Sequence, residues 1–284
     1  MLTRRFFIAA VPAAFCMPGI AQAADSLQQQ AAALEKAAQG RLGLHIIDTA
    51  TSREYGWRSG ERFMMLSSSK LLIAALVLAL ADRGQERLDR RIRYGRDQLL
   101  SWAPVTEKHV EDGMTVTELC AAAITMSDNT AANLLLDGFG GPQAVTAFAR
   151  LTGDAITRLD RREPELNSPA GMFDTTTPAA MARTMQRLLL GDVLSAASRR
   201  QLRDWLLATR TGDRRLRAGV PAGWQVGDKT GTNRTDANDI GILLPPGRAP
   251  LLVTAYLAGS TAAMDVKEAA LAGVGRLAVS LITA

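Results

Sequence analysis

Ser67-Ser68-Ser69-Lys70 runs directly into Leu71-Leu72-Ile73-Ala74-Ala75-Leu76-Val77-Leu78-Ala79-Leu80-Ala81, and the eleven apolar residues behind the lysine decide the reading of the fold. The run is too short to span a bilayer and is apolar on every face of a helix, which marks a helix buried in a globular core. A cation at the head of such a helix needs a chemical reason. Ser67 lies three positions before Lys70, so on a helix its hydroxyl sits one turn from the amine. A desolvated amine near other cations has a lowered pKa and is able to take a serine proton.

Outward from this segment the pattern stays helical to about Thr209, with helices expected over 115–124, 129–137, 142–151, 178–190 and 195–207. Ahead of it come a polar helix over 26–38 and a hairpin of strands 42–48 and 53–57. Behind it come strand-like runs 225–230, 239–244 and 251–257, then a closing helix over 265–282. The chain shows no internal repeat and no linker rich in Pro, Gly or Ser. The two chain ends must therefore build one sheet around an inserted helical block, an α/β plus all-α class with an antiparallel sheet flanked by helices. The expected division is 24–65 with 208–284 as the α/β part and 66–207 as the all-α part, which carries a catalytic loop over 158–176.

With 284 residues, 47% hydrophobic and 21% charged, the chain has ample core for one large or two interleaved domains. Its 33 Lys and Arg against 28 Asp and Glu give a small positive excess that is spread along the chain. A nucleic-acid partner would need a clustered basic face, so none is expected. Two histidines and, once an N-terminal leader is removed, one cysteine make a poor metal inventory, and no metal or cofactor is expected.

The first residues read as an address. A basic start, an apolar stretch over 6–20 and Ala21-Gln22-Ala23 form a secretory leader cleaved after Ala23, and Thr3-Arg4-Arg5-Phe6-Phe7-Ile8 has the look of a twin-arginine signal. Phe15 ahead of Cys16 argues against lipid attachment there. The mature protein is then expected free in the periplasm, without a membrane anchor. Cys120 is its only cysteine, read as a small buried residue rather than a catalytic thiol, because neither His45 nor His109 sits in a partner motif.

Three further segments, Ser127-Asp128-Asn129, Glu163-Pro164-Glu165-Leu166-Asn167 and Lys229-Thr230-Gly231, follow Ser67 to Lys70 in an order and spacing that chance rarely supplies. With Met114-Thr115-Val116, Arg158-Leu159-Asp160-Arg161 and Thr175-Thr176-Thr177-Pro178, the whole mature chain resembles the class A serine β-lactamases. The resemblance implies an α/β domain and an all-helical domain with the active site in the cleft between them. It also implies a β-lactam as the small-molecule partner, and a monomer is expected.

Opening a β-lactam requires a nucleophile, a base, an acid for the leaving nitrogen, donors for the oxyanion, and an activated water for the second half-reaction. Ser67 is the expected nucleophile at a helix start, where free N–H groups favour negative charge. Its own N–H and that of Thr232 would face the oxyanion. Ser127 suits the proton shuttle to the ring nitrogen, with Lys229 beside it and beside the substrate carboxylate, held also by Thr230 and Gly231. Asn129 suits the acyl side-chain amide. Glu163 and Asn167 together could pin the water for deacylation. Whether Lys70 or Glu163 acts first in acylation stays open. Ser127 and Asp128 could alternatively cap the following helix, and Glu163 could be one charge on a solvated loop.

Family positions imply an aromatic cleft wall at Trp102, an ion pair of Arg161 with Asp174 across the loop ends, and a carboxylate-binding guanidinium at Arg215, with Arg217 as its neighbouring rival. Six residues separate Asn167 from Asp174, fewer than the family usually has. Leu66 and Asn233 stand where some carbapenem-hydrolysing members carry a cysteine pair, and Ala74 where others place a disulfide partner for Cys120. A D,D-peptidase or a covalent β-lactam sensor could share the serine, the lysine and the Lys-Thr-Gly strand. A hydrolase is set apart by the deacylation pair Glu163 and Asn167.

Overall fold

The computed structural model describes residues 18–283. The twin-arginine pattern, Cys16 and most of the expected leader lie outside the described residues. The cleavage point after Ala23 falls within helix α1 (Pro18–Ala37), which starts earlier than the 26–38 read from polarity alone.

Strands β1 (Arg41–Asp48) and β2 (Arg53–Trp57) make the expected hairpin, followed by the short β3 (Phe63–Met64). A 3₁₀ turn, Leu66–Ser69, leads into α2 (Lys70–Asp82). Two short strands, β4 (Arg91–Ile92) and β5 (Met114–Thr115), pair with each other ahead of α3 (Val116–Thr125), α4 (Asn129–Gly138) and α5 (Gly141–Leu151). A loop then returns to β6 (Thr175–Thr176), which pairs with β3, and α6 (Pro178–Leu189) and α7 (Ala196–Leu207) complete the block. Strands β7 (Gln225–Thr232), β8 (Ala237–Leu244) and β9 (Leu251–Ala258) and helix α8 (Met264–Thr283) close the chain.

The five-stranded sheet runs β2-β1-β9-β8-β7, antiparallel throughout. Because β1 pairs along its whole length with β9, the two chain ends do build one sheet. Its central strands are buried on both faces, and alternation sorts their side chains. Leu42, Leu44, Ile46, Val253 and Ala255 face a core with Leu271 and Val274 of α8, whereas Ile47, Leu252 and Tyr256 join the core of the helical block. At the centre of that block lies α2, with every residue from Lys70 to Ala79 buried, as its all-round apolar pattern requires. Cys120 is a free thiol in the same core.

This arrangement leaves β7 as an edge strand against the start of α2. A Cβ on Gly231 would lie 2.9 Å from both Leu66 Cβ and Met65 O, so only glycine lets the strand touch the turn ahead of Ser67.

Candidate active site

Ser67 occupies the second position of the 3₁₀ turn rather than the α-helix proper, behind Leu66, whose φ of +51° is left-handed. Few leucines adopt that conformation, and the surrounding contacts must impose it. Ser67 Oγ donates to Glu163 Oε1 at 3.2 Å. Lys70, fully buried one turn on, does not meet the serine hydroxyl as its spacing suggests. Its Nζ donates to Ser127 O at 2.8 Å, to Asn129 Oδ1 at 2.5 Å and, as an ion pair, to Glu163 Oε1 at 3.0 Å. Burial pushes the Lys70 pKa below the ordinary lysine value, and the Glu163 carboxylate opposes that shift.

The turn before α4 carries the next two groups. Asp128 caps the helix by accepting from Ala131 N at 2.9 Å, and its other oxygen takes Val105 N at 3.0 Å and Thr106 N at 2.9 Å. This fully buried carboxylate therefore braces the Trp102 loop against the turn, a structural task. Asn129 N donates to Trp102 O at 2.9 Å and Trp102 Nε1 to Met126 O at 3.1 Å, which leaves the indole 52% exposed on the cleft rim. Ser127, left-handed at φ +56°, places Oγ where two cations converge on it: Lys229 Nζ at 3.0 Å and Lys70 Nζ at 3.4 Å. An oxygen accepting from both directs its own proton elsewhere.

Glu163 is almost wholly buried although it lies in a loop. Asn167 Nδ2 donates to its Oε2 at 2.5 Å, a direct bond between the two residues expected to share a water. Its backbone is held from α4: Asn133 Nδ2 donates to Glu163 O at 2.8 Å and Glu163 N to Asn133 Oδ1 at 3.1 Å. The loop ends are clamped as expected, with Arg161 Nε 2.6 Å from Asp174 Oδ2, while Asp174 Oδ1 accepts Asp160 N and Arg161 N.

On β7, Lys229 is buried beside Lys70. Burial, and then the neighbouring Lys70 charge, hold its pKa well below the usual lysine value. Arg215 reaches the strand end, with NH1 donating to Gly231 O at 3.1 Å and Asn238 O at 2.8 Å and NH2 to Thr232 Oγ1 at 2.7 Å. Arg217 instead turns beneath the sheet to Asp228, at 2.5 Å.

Ser67, Trp102, Ser127, Asn129, Asn167, Arg215, Thr230, Gly231 and Thr232 line one cavity of about 290 Å³. Lys70, Glu163 and Lys229 lie behind its lining, in contact with Ser67 or Ser127. Two residues went unread in the sequence. Thr211 lines the cavity and bonds Thr230 Oγ1 at 2.6 Å, and Asn133 holds Glu163. Thr211 carries no motif signal; Asn133 lies four positions past Asn129, on the same face of α4, which is a weak one.

A buried lysine, a serine and a carboxylate converging in a cleft between sheet edge and helical block define a serine acyl-transfer hydrolase. Residues 26–282 match the profile of the Beta-lactamase enzyme family. The chain is 49% identical to Beta-lactamase L2 of Stenotrophomonas maltophilia, over 99% of its own length and 100% of that protein's. It superimposes with a TM-score of 0.88 on an ancestral class A β-lactamase of Gram-negative bacteria, at 61% identity over 89% of this chain and 99% of the other. The putative class A β-lactamase PenP of Rhodopseudomonas palustris gives a TM-score of 0.88 at 55% identity, covering 90% of this chain and 99% of that one. The chain belongs to the β-lactamase enzyme family as a class A serine enzyme and hydrolyses the β-lactam amide.

Proposed function

We propose that Ser67 is acylated by penicillins and cephalosporins and that Glu163 is the base in both half-reactions. The observation that carries this reading is the sharing of Glu163 Oε1 between Ser67 Oγ and Lys70 Nζ. Lys70 has three acceptors within 3.0 Å, one for each proton of an ammonium, whereas a neutral amine would bring a lone pair against one of them. Lys70 is then the cation paired with Glu163 Oε1, and the carboxylate receives the serine proton.

In acylation Ser67 Oγ bonds to the ring carbonyl carbon while its proton passes to Glu163. The C–N bond breaks, and Ser127 donates its proton to the departing nitrogen and is reprotonated by Lys70, which recovers a proton from Glu163 across their 3.0 Å contact, so that Glu163 is again a carboxylate before deacylation. The N–H groups of Ser67 and Thr232 face the oxyanion, the first at a helix start and the second on an edge strand, both places where N–H groups lack regular partners. Lys229, Thr230, Gly231 and Arg215 hold the substrate carboxylate. Asn129, whose carbonyl end is occupied by Lys70, offers its NH2 to the acylamide, and Trp102 walls the cleft. In deacylation Glu163, oriented by Asn167, takes a proton from water as its oxygen attacks the ester, and Ser67 leaves with a proton returned to it.

Residues 24–65 with 208–284 and 66–207 are read as the two domains that meet at this cleft. Residues 1–23 are read as the export leader of a monomeric periplasmic enzyme that confers β-lactam resistance. Among the described residues no helix is long and apolar enough to cross a membrane.

Glu163→Gln tests the mechanism. Intact-protein mass spectrometry of this variant with a penicillin is expected to show an adduct on Ser67 that forms far more slowly than in the unmodified enzyme, because the acylation base is gone, and then persists, because the deacylation base is gone with it. Turnover near that of the unmodified enzyme, with no adduct, would remove Glu163 from its role.

A further inference from the structure

Asn238 touches both halves of the oxyanion pocket. On β8 it stands opposite Gly231, the residue before Thr232. Its buried side chain crosses to the turn ahead of the nucleophile, where Nδ2 donates to Met64 O at 2.8 Å and Met65 O at 3.1 Å. Both amide protons are thereby spent on successive carbonyls. Met65 O also takes Ser68 N at 3.1 Å and Ser68 Oγ at 2.7 Å, so it is the knot of the turn that presents Ser67. The main-chain oxygen of Asn238 meanwhile accepts Arg215 NH1 at 2.8 Å.

We propose that Asn238 is a positioning residue that sets the separation of the Ser67 and Thr232 N–H groups, and through it the polarisation of the substrate carbonyl; this rests on those two groups being the oxyanion donors. Leu66 sits between Met65 and Ser67 in a left-handed conformation that a free leucine would leave. Two hydrogen bonds to buried carbonyls are of the same order as the strain at one such residue and can offset it. Gly231 supplies the other half of the restraint, since a Cβ there would meet Met65 O, Leu66 Cβ and Asn238 Nδ2, and its absence lets the strand close on the turn. Without the amide the turn remains packed but is free to relax away from β7, and the two donors lose their common aim.

The test uses Asn238→Ala and Asn238→Ser, each in the Glu163→Gln enzyme, with a penicillin carrying a ¹³C-labelled ring carbonyl. Infrared difference spectroscopy reads the ester carbonyl of the adduct, and stopped flow reads acylation. Only folded, acylated molecules give the band, so a misfolded fraction is silent. Weaker hydrogen bonding is expected to move the band to higher frequency and broaden it, with acylation slowed about 10- to 100-fold. An unmoved band with acylation within about twofold overturns the proposal. Failure of the underlying reading looks different: a band at the frequency of a free ester in Glu163→Gln alone would remove the two N–H groups as oxyanion donors. If Glu163→Gln forms no stable adduct, the acylation rate of Asn238→Ala alone, measured against the unmodified enzyme, decides the role of Asn238 by the same twofold criterion.

Discussion

Asn233 Nδ2 donates to the main-chain oxygen of Asn167 at 3.0 Å, which latches the β7 to β8 turn onto the loop that carries Glu163. The same side chain closes its own turn, with Oδ1 accepting Thr235 N at 2.9 Å and Asp236 N at 2.7 Å. The latch lies beside the cavity, since Asn167 lines it and Asn233 follows Thr232, which lines it too. Asn233→Gly is expected to cost about 1 kcal/mol in stability, to lower penicillin kcat several-fold, and to lower KM for cephalosporins with bulky side chains. Thermal melts and steady-state kinetics over both classes check it; unchanged KM for the bulky substrates would mean that the latch does not gate the cleft.

Arg161 and Asp174 hold the ends of a short loop. Asp174 is fully buried and would keep its two main-chain donors without the guanidinium. Arg161→Ala should still destabilise by about 3 kcal/mol, the scale of a buried charge left without its counter-charge. Penicillin turnover should fall with it because Glu163 loses its fixed aim. An unaltered melting temperature together with unaltered kinetics would contradict the clamp.

Arg215 and Arg217 are separated by where their forks point. Arg215 lines the cavity and Arg217 is bound to Asp228 beneath the sheet. Arg215→Ala is expected to lower kcat/KM for penicillins about tenfold, with Arg215→Lys doing little better, because a point charge cannot replace a planar fork. A larger loss in Arg217→Ala than in Arg215→Ala would transfer the role.

Lys229 carries its positive charge against burial and against Lys70, and both lower its pKa. On the proposed mechanism the substrate carboxylate is held by the ammonium, so activity should be full below the folded-state pKa and be lost as pH rises through it. The alkaline limb of kcat/KM should therefore fall below the ordinary lysine value near 10.4. Lys229→Arg, which does not titrate in this range, should push that limb upward, even if its plateau is lower. A limb unmoved in Lys229→Arg would assign it to another group.

Much of the site was legible because its chemistry depends on short local spacings. Ser67 to Lys70, Ser127 to Asn129, Glu163 to Asn167 and Lys229 to Gly231 each sit within one turn or strand segment, and the structure brings all four to one cleft. The sheet built from both chain ends was legible from strand runs at either end of a helical middle. Three features were not. Lys70 bonds Glu163, Ser127 and Asn129 rather than Ser67, because the 3₁₀ turn behind a left-handed Leu66 aims the serine at the loop. That conformation opposes the local preference of leucine, and it occurs where Gly231 of β7 and the Asn238 amide meet the turn. Thr211, Asn133 and Asn238 act through contacts between elements distant in sequence, where no local pattern announces them.

The burial of Lys70 at the head of α2 has a consequence for how the enzyme acquires its activity. The amine is enclosed by Ser127, Asn129 and the Glu163 loop; in a half-assembled chain that lacks them it is an ordinary hydrated cation, and Ser67 is without its carboxylate partner. During refolding, helical signal should return before reactivity toward a β-lactam. A nascent or damaged molecule lacking that enclosure would be harmless to the antibiotic while still resembling the finished enzyme in outline.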